Sequence, residues 1–181
     1  MGNVIPHSLF TDFDIDLLKA GKHYRLYEKL GSHLTEVNGE QGVYFAVWAP
    51  SAKAVSVVGD FNYWLEGEHP LHVRWDESGI WEGFIPGLKK GTLYKYKIHS
   101  HLGDVKTEKA DPFARYAEMP PKTASVVWEA PFDWKDDGWM KGRTSRNSLD
   151  KPFSVYEVHL GSWRRKADNQ FLTYSELAEQ L

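Results

Sequence analysis

The run from Gly42 to Trp64, GVYFAVWAPSAKAVSVVGDFNYW, most narrows what this chain can fold into. Val43, Phe45 and Val47 alternate with Tyr44, Ala46 and Trp48, the two-residue period of a pleated strand. Ala49-Pro50-Ser51-Ala52 ends that period, because proline has no N–H to give to a ladder. A second strand is expected from Ala54 to Val58, and the two read as a pair joined by a short turn. Gly59-Asp60-Phe61-Asn62-Tyr63-Trp64 is turn chemistry ending on a large aromatic. A turn holds such a ring at the surface, where its flat face meets a ligand; a ring packed into core or rim is the alternative.

The same rhythm continues downstream. Strands are expected at Leu71 to Trp75, Ile80 to Ile85, Leu93 to His99, Val105 to Lys109 and Ala124 to Trp128. In LYKYKIH, Tyr94, Tyr96 and Ile98 face one way, and Leu93, Lys95 and Lys97 the other. Gly and Asp clusters separate these runs. Frequent short strands with turn signals predict a mainly β fold, a sandwich of immunoglobulin-like architecture.

Before the sandwich, Leu17, Leu18, Tyr24, Leu26, Tyr27 and Leu30 recur at three- and four-residue spacing. Two short helices are expected to meet near Gly21, with Thr11 or Asp12 as cap and Gly31 as stop. Ser32 to Gln41 reads as a polar loop. After the sandwich, Pro131 to Lys151 has the charges and glycines of a linker. Phe153 to Leu160 is apolar on nearly every position, the pattern of a strand buried on both faces of a parallel sheet. Thr173 and Glu176 form a capping box, followed by Leu177 and Leu181 at helical spacing. Strand, loop and helix start make the first half of a βα unit, so the sequence reads as truncated.

Composition excludes several function classes. The net charge is −3, with no Lys/Arg cluster able to track a phosphate backbone, so nucleic acid is not an expected partner. The absence of cysteine removes disulfide and thiol chemistry and suits a cytoplasmic location. The N-terminus lacks a signal peptide's basic start and apolar core, and no window has the length of a membrane span. Aromatic residues are 14% of the chain, with eight tryptophans. Such rings suit flat apolar ligand faces, which sugars present, as well as plain core area.

VGDFNYW, the later YKYKI and ADPFA resemble the family 48 carbohydrate-binding module, an immunoglobulin-like β-sandwich. With TDFDIDLLKAGKHYRLYEKLG before it and SVYEVHLGSWRR after it, the chain is similar to the N-terminal portion of bacterial 1,4-alpha-glucan (glycogen) branching enzymes of glycoside hydrolase family 13. The resemblance implies a division into a helical lead-in (1–38), the sandwich (39–130), a linker (131–152) and the first strand and helix start of a truncated (β/α)8 barrel (153–181). It implies transfer of α-1,4-glucan segments into α-1,6 branches in the parent protein. Glycogen or amylose and the remainder of the barrel would be the partners. The alternative is an independent glycan-targeting or protein-interaction module without activity.

That chemistry needs two facing carboxylates, which in the family lie on later barrel strands. Asp60, Asp111 and Glu157 match no such motif, so no catalytic residue is assigned. Asp60 is expected to fix the turn, Asp111 to open a loop, and Glu157 to lie mid-strand. His159, near the end of the expected barrel strand, is weighed as a pocket residue of a full enzyme. His99 and His101 lack the carboxylate or cysteine set of a metal site, so neither metal nor cofactor is expected. By the resemblance, Trp64 stacks on a glucose ring and Lys95 hydrogen-bonds its hydroxyls. The family's second tryptophan is absent from HSHLGDVKTEKADPF, which leaves one wall of that site unbuilt.

Overall fold

A computed structural model describes residues 3–103 and 105–181. The chain divides into two compact units, Met1–Pro131 and Phe132–Leu181. In the first, helix α1 (Asp12–Lys19) is followed by nine strands: β1 (Gly31–Val37), β2 (Glu40–Trp48), β3 (Ala52–Gly59), β4 (His72–Val73), β5 (Ile80–Pro86), β6 (Leu93–Ser100), β7 (Lys106–Lys109), β8 (Tyr116–Ala117) and β9 (Ser125–Val126). Two antiparallel sheets result. One has the order β1-β2-β5-β4; the other runs β3-β6-β9-β8, with β7 also on β6.

The inner faces of the two sheets share one core. Val43, Phe45 and Val47 of β2 meet Val55 and Val57 of β3 and Tyr94 and Tyr96 of β6 there. The Tyr94 hydroxyl donates to Asp111 Oδ2 at 2.6 Å and that of Tyr96 at 3.2 Å, so both rings sit deep without an orphaned oxygen. The other face of β2 is also covered. Tyr44 and Ala46 join Ile80, Phe84, Phe10 and Ile15 in a second cluster under the N-terminal segment and α1. Every residue from Val43 to Val47 is therefore buried, although the strand alternates in size and shape.

Several expectations change. β2 and β3 are not a hairpin: the chain turns at Ala49-Pro50-Ser51 and passes from one sheet to the other. Each strand finds its partner elsewhere, β2 on β1 and β5, β3 on β6. The polar loop expected from Ser32 to Gln41 is mostly β1, an edge strand whose outward residues are free to be polar. Its turn uses Asn38 (φ 54°) and Gly39 (φ 83°), both left-handed as a two-residue hairpin requires. Of the two lead-in helices only α1 forms; Leu26–Glu28 is a single 3₁₀ turn. The start of strand Val105 to Lys109 adjoins position 104, outside the described residues, and the strand itself is Lys106–Lys109.

The second unit contains α2 (Asp137–Arg146), α3 (Leu160–Trp163) and α4 (Tyr174–Ala178). The expected linker thus carries a helix, though one with no buried residue. Thr173 caps α4 reciprocally with Glu176, and Leu177 is its buried residue. Lys166 and Thr173 hold the Glu176 carboxyl at about 2. The barrel strand expected at Phe153 to Leu160 is not formed. A parallel strand exists only through neighbours, and no described residue pairs with 153–159, so Phe153, Val155 and Tyr156 stand exposed.

The lead-in is fastened by its own cap. Asp14 N donates to Thr11 Oγ1 (3.2 Å) and Thr11 N to Asp14 Oδ2 (2.8 Å). The same carboxylate meets His23 Nε2 at 3.0 Å and Lys29 Nζ at 3.2 Å. Burial pushes its pKa up, but the bonds from Thr11, His23 and Lys29 outweigh that and hold it well below the usual carboxylate range. A depressed folded-state pKa contributes stability above the unfolded value of 3.8, lost as pH falls through the folded value. Asp14→Ala is expected to cost about 1–2 kcal/mol at pH 7. In urea titrations its deficit against the unmutated chain should shrink below pH 4; a deficit that is constant with pH would refute this.

Candidate glycan-binding surface

The turn after β3 is set by one small residue and one amide. Gly59 has extended backbone, but a Cβ there would lie 2.1 Å from the Leu93 carbonyl oxygen, so only glycine lets β6 approach. Asn62, buried, accepts from Gly59 N (2.9 Å) and donates to the Val57 carbonyl (3.0 Å). Tyr63 (φ 53°) and Trp64 (φ 59°) are both left-handed, a conformation uncommon for bulky residues and held here by the surroundings. Trp64 N donates to the Gly59 carbonyl (2.9 Å), and Trp64 Nε1 to Asp60 Oδ1 (2.8 Å). The indole is half-buried, with its N–H already satisfied.

Lys95 lies on the outer face of the second sheet, opposite Val58, while Tyr94 and Tyr96 point into the core. Its ammonium donates to Thr123 Oγ1 at 2.8 Å. Gly59 pairs with Tyr94, so the register brings the Trp64 turn and Lys95 to the same end of one sheet. Thr123 and the Asp60 bond were not legible in the sequence. Asp60 lies at the four-residue spacing before Trp64, but nothing in its type announces that its oxygen faces the indole.

Of the other titratable candidates, Asp111 and His159 are engaged. Asp111 is buried; it accepts from Tyr94, Tyr96 and Phe113 N, and its own N–H donates to Ser125 Oγ. Burial raises its pKa against those bonds. Glu157 is exposed on the extended segment, and His159 meets Ser162 Oγ at 2.8 Å at the start of α3. Among the described residues, no group of three or more His, Cys, Asp or Glu gathers as a metal site.

Residues 29–114 match the family described as carbohydrate-binding module 48 (isoamylase N-terminal domain). The 1,4-alpha-glucan branching enzyme GlgB of Albidiferax ferrireducens is 55% identical over 94% of this chain and 27% of its own length. That of Aromatoleum aromaticum is 52% identical over 100% of this chain and 28% of its own. Klebsiella pneumoniae pullulanase, solved with maltotriose, is 27% identical over 56% of this chain and 10% of its own, at a TM-score of 0.45. The chain thus spans well under a third of the two branching enzymes' length. Over nearly its whole length the chain is similar to an N-terminal part of 1,4-alpha-glucan branching enzymes, and within that part residues 29–114 match carbohydrate-binding module 48.

Proposed function

We propose that the sandwich holds α-1,4-glucan at the Trp64 end of its second sheet and presents it to the catalytic barrel of the whole protein. In that protein the barrel transfers glucan segments into α-1,6 branches, in the cytoplasm. Residues 1–30 are then the lead-in and 31–130 the module, with β1 (Gly31–Val37) as its edge strand; 131–152 is the linker and 153–181 the first part of the barrel. The unit boundary after Pro131 and the match of residues 29–114 support this division.

The observation that carries the reading is the fixed indole of Trp64 in the turn at the end of the sheet that also carries Lys95. A glucose ring has an apolar C–H face and a rim of hydroxyls. The indole face takes the first, while the Lys95 ammonium and Thr123 hydroxyl take the second. The Trp64 N–H is engaged by Asp60, so the indole contributes its face and not a donor. Asp60 is bonded to the Trp64 indole and Asp111 to the buried tyrosines, so neither is offered as a catalytic group, and the chemistry is assigned to the rest of the protein.

Aromatic contacts contribute roughly 0.5–1.5 kcal/mol beyond area burial, which places the dissociation constant on the order of 0.1–1 mM. Trp64→Ala is expected to abolish retardation in glycogen-containing gels with little change in melting temperature. Lys95→Ala should weaken retardation less. Retardation unaffected by Trp64→Ala would overturn the assignment, as would loss of the fold.

A further inference from the structure

The outer face of the second sheet continues past Lys95 into a groove of about 480 Å³, lined by Leu93, Tyr116, Glu118, Met119, Pro120–Pro121 and Lys122. Leu93 and Tyr116 both lie opposite Val126, and Lys95 lies two residues from Leu93 on the same face. The Lys95–Thr123 bond joins the groove wall to the surface described above. We propose that this groove is a second α-glucan subsite of the module, with the Tyr116 ring as its stacking surface. The proposal rests on the glucan-binding reading of Trp64 and Lys95, and it supplies the aromatic wall that the β6–β7 loop lacks.

The Tyr116 ring is prepared for such a role. It is 50% exposed and stacks on Trp128 at 4.9 Å between centroids, with 30° between planes. Lys90 Nζ lies 4.1 Å from the Trp128 centroid and donates to the Glu129 carbonyl at 2.6 Å, pinning the support from behind. A ring oriented before the ligand arrives loses little freedom on binding. The rim is polar. Glu118 accepts from Ala124 N at 3.2 Å and lies 3.5 Å from Lys122, so an anchored acceptor and a donor flank the apolar floor.

This combination of ring face, apolar floor and mixed-charge rim fits a sugar chain. The Glu118 carboxylate disfavours an anionic ligand, and an apolar peptide offers the polar rim nothing to bond. The volume lies within the range of about 300–1,000 Å³ common for ligand sites. From β3 to β8 the sheet is three strand spacings wide, roughly 14 Å. A disaccharide cannot bridge the Trp64 turn and Tyr116; a longer maltooligosaccharide can.

Titration of the isotopically labelled chain with maltose and with maltoheptaose tests the proposal. Maltoheptaose is expected to bind roughly tenfold tighter, near the upper end of one aromatic contact. It should shift the amide resonances of Glu118 and Lys122. Tyr116→Ala should remove that advantage, Tyr116→Phe should keep it, and Trp64→Ala should weaken both ligands. Wild-type affinity for maltoheptaose in Tyr116→Ala, with loss in Trp64→Ala, overturns the subsite and leaves the Trp64 reading standing. Loss in Tyr116→Ala alone supports the subsite and removes Trp64 from the glucan surface. Should Tyr116→Ala fail to fold, the amide shifts of the unmutated chain decide. Absence of those shifts, or of any binding, overturns the proposal.

Discussion

Glu82→Ala is expected to lower the unfolding free energy of the first unit by about 3–5 kcal/mol, the usual consequence of stripping one partner from a buried charge network. Glu82 is 6% exposed on β5 and faces the N-terminal segment. Its carboxylate accepts from the Tyr44 hydroxyl (2.5 Å), Ser8 Oγ (2.9 Å) and Arg74 NH1 (2.8 Å). Arg74 also reaches Asp76 Oδ2 (2.7 Å) and lies 5.8 Å from the Phe10 ring. Alanine would leave a buried phenol without its acceptor and take the carboxylate from a buried guanidinium whose same nitrogen would keep only Ser8 Oγ. Burial, with the adjacent carboxylate, already pushes the Tyr44 phenol well above its usual range, so it cannot relieve the site by ionising. Glu82→Gln, which keeps one acceptor, should cost less than half as much in urea titrations at pH 7. Hydrogen exchange at Ile5, bonded to the Phe84 carbonyl at 2.8 Å, should accelerate in step. A loss below about 1 kcal/mol would show that water replaces the carboxylate.

Gly59→Ala is expected to cost about 3 kcal/mol or more, above the ordinary range for one added methyl in a packed region. The Cβ would lie 2.1 Å from the Leu93 carbonyl and 2.7 Å from the Phe61 ring. The carbonyl belongs to a strand held by β3 and β9, so it has little room to retreat. Because the Gly59 carbonyl also anchors Trp64 N, glycogen retardation should fail below the melting temperature of the variant. Melting curves and gels run on the same preparation separate the two effects. A variant of unchanged stability would show that β3 and β6 can part at this end.

The strands that dominate the core could be read directly from alternation. Tyr94 and Tyr96 against Lys95 and Lys97, or Val43 through Val47, leave little choice of state. β1 was harder because Ser32, His33, Thr35 and Glu36 look like loop residues, and an edge strand tolerates them. The Asn38-Gly39 pair was the signal available for it. Periodicity reports the state of a segment and not its partner, so the change of sheet at Pro50 left no trace. Trp64 and Lys95 could be placed on their elements from sequence. Their coupling to Asp60 and Thr123 depends on which oxygen a turn or a neighbouring strand delivers, and on Gly59 letting β6 close in.

That change of sheet also bears on the order in which the chain can assemble during synthesis. β1 and β2 are separated by two residues and can pair as soon as both have emerged. β3 emerges next, yet its partner is β6, with Gly59 set against Tyr94 and Val55 against Ile98. Some thirty to fifty residues must be made before those contacts exist, at a closure cost that rises slowly with loop length. Until then the Val55–Val58 edge waits unpaired, a surface that other nascent strands can join. Slower translation through residues 60–100 would lengthen that interval, and a chaperone acting on this chain has its opportunity there.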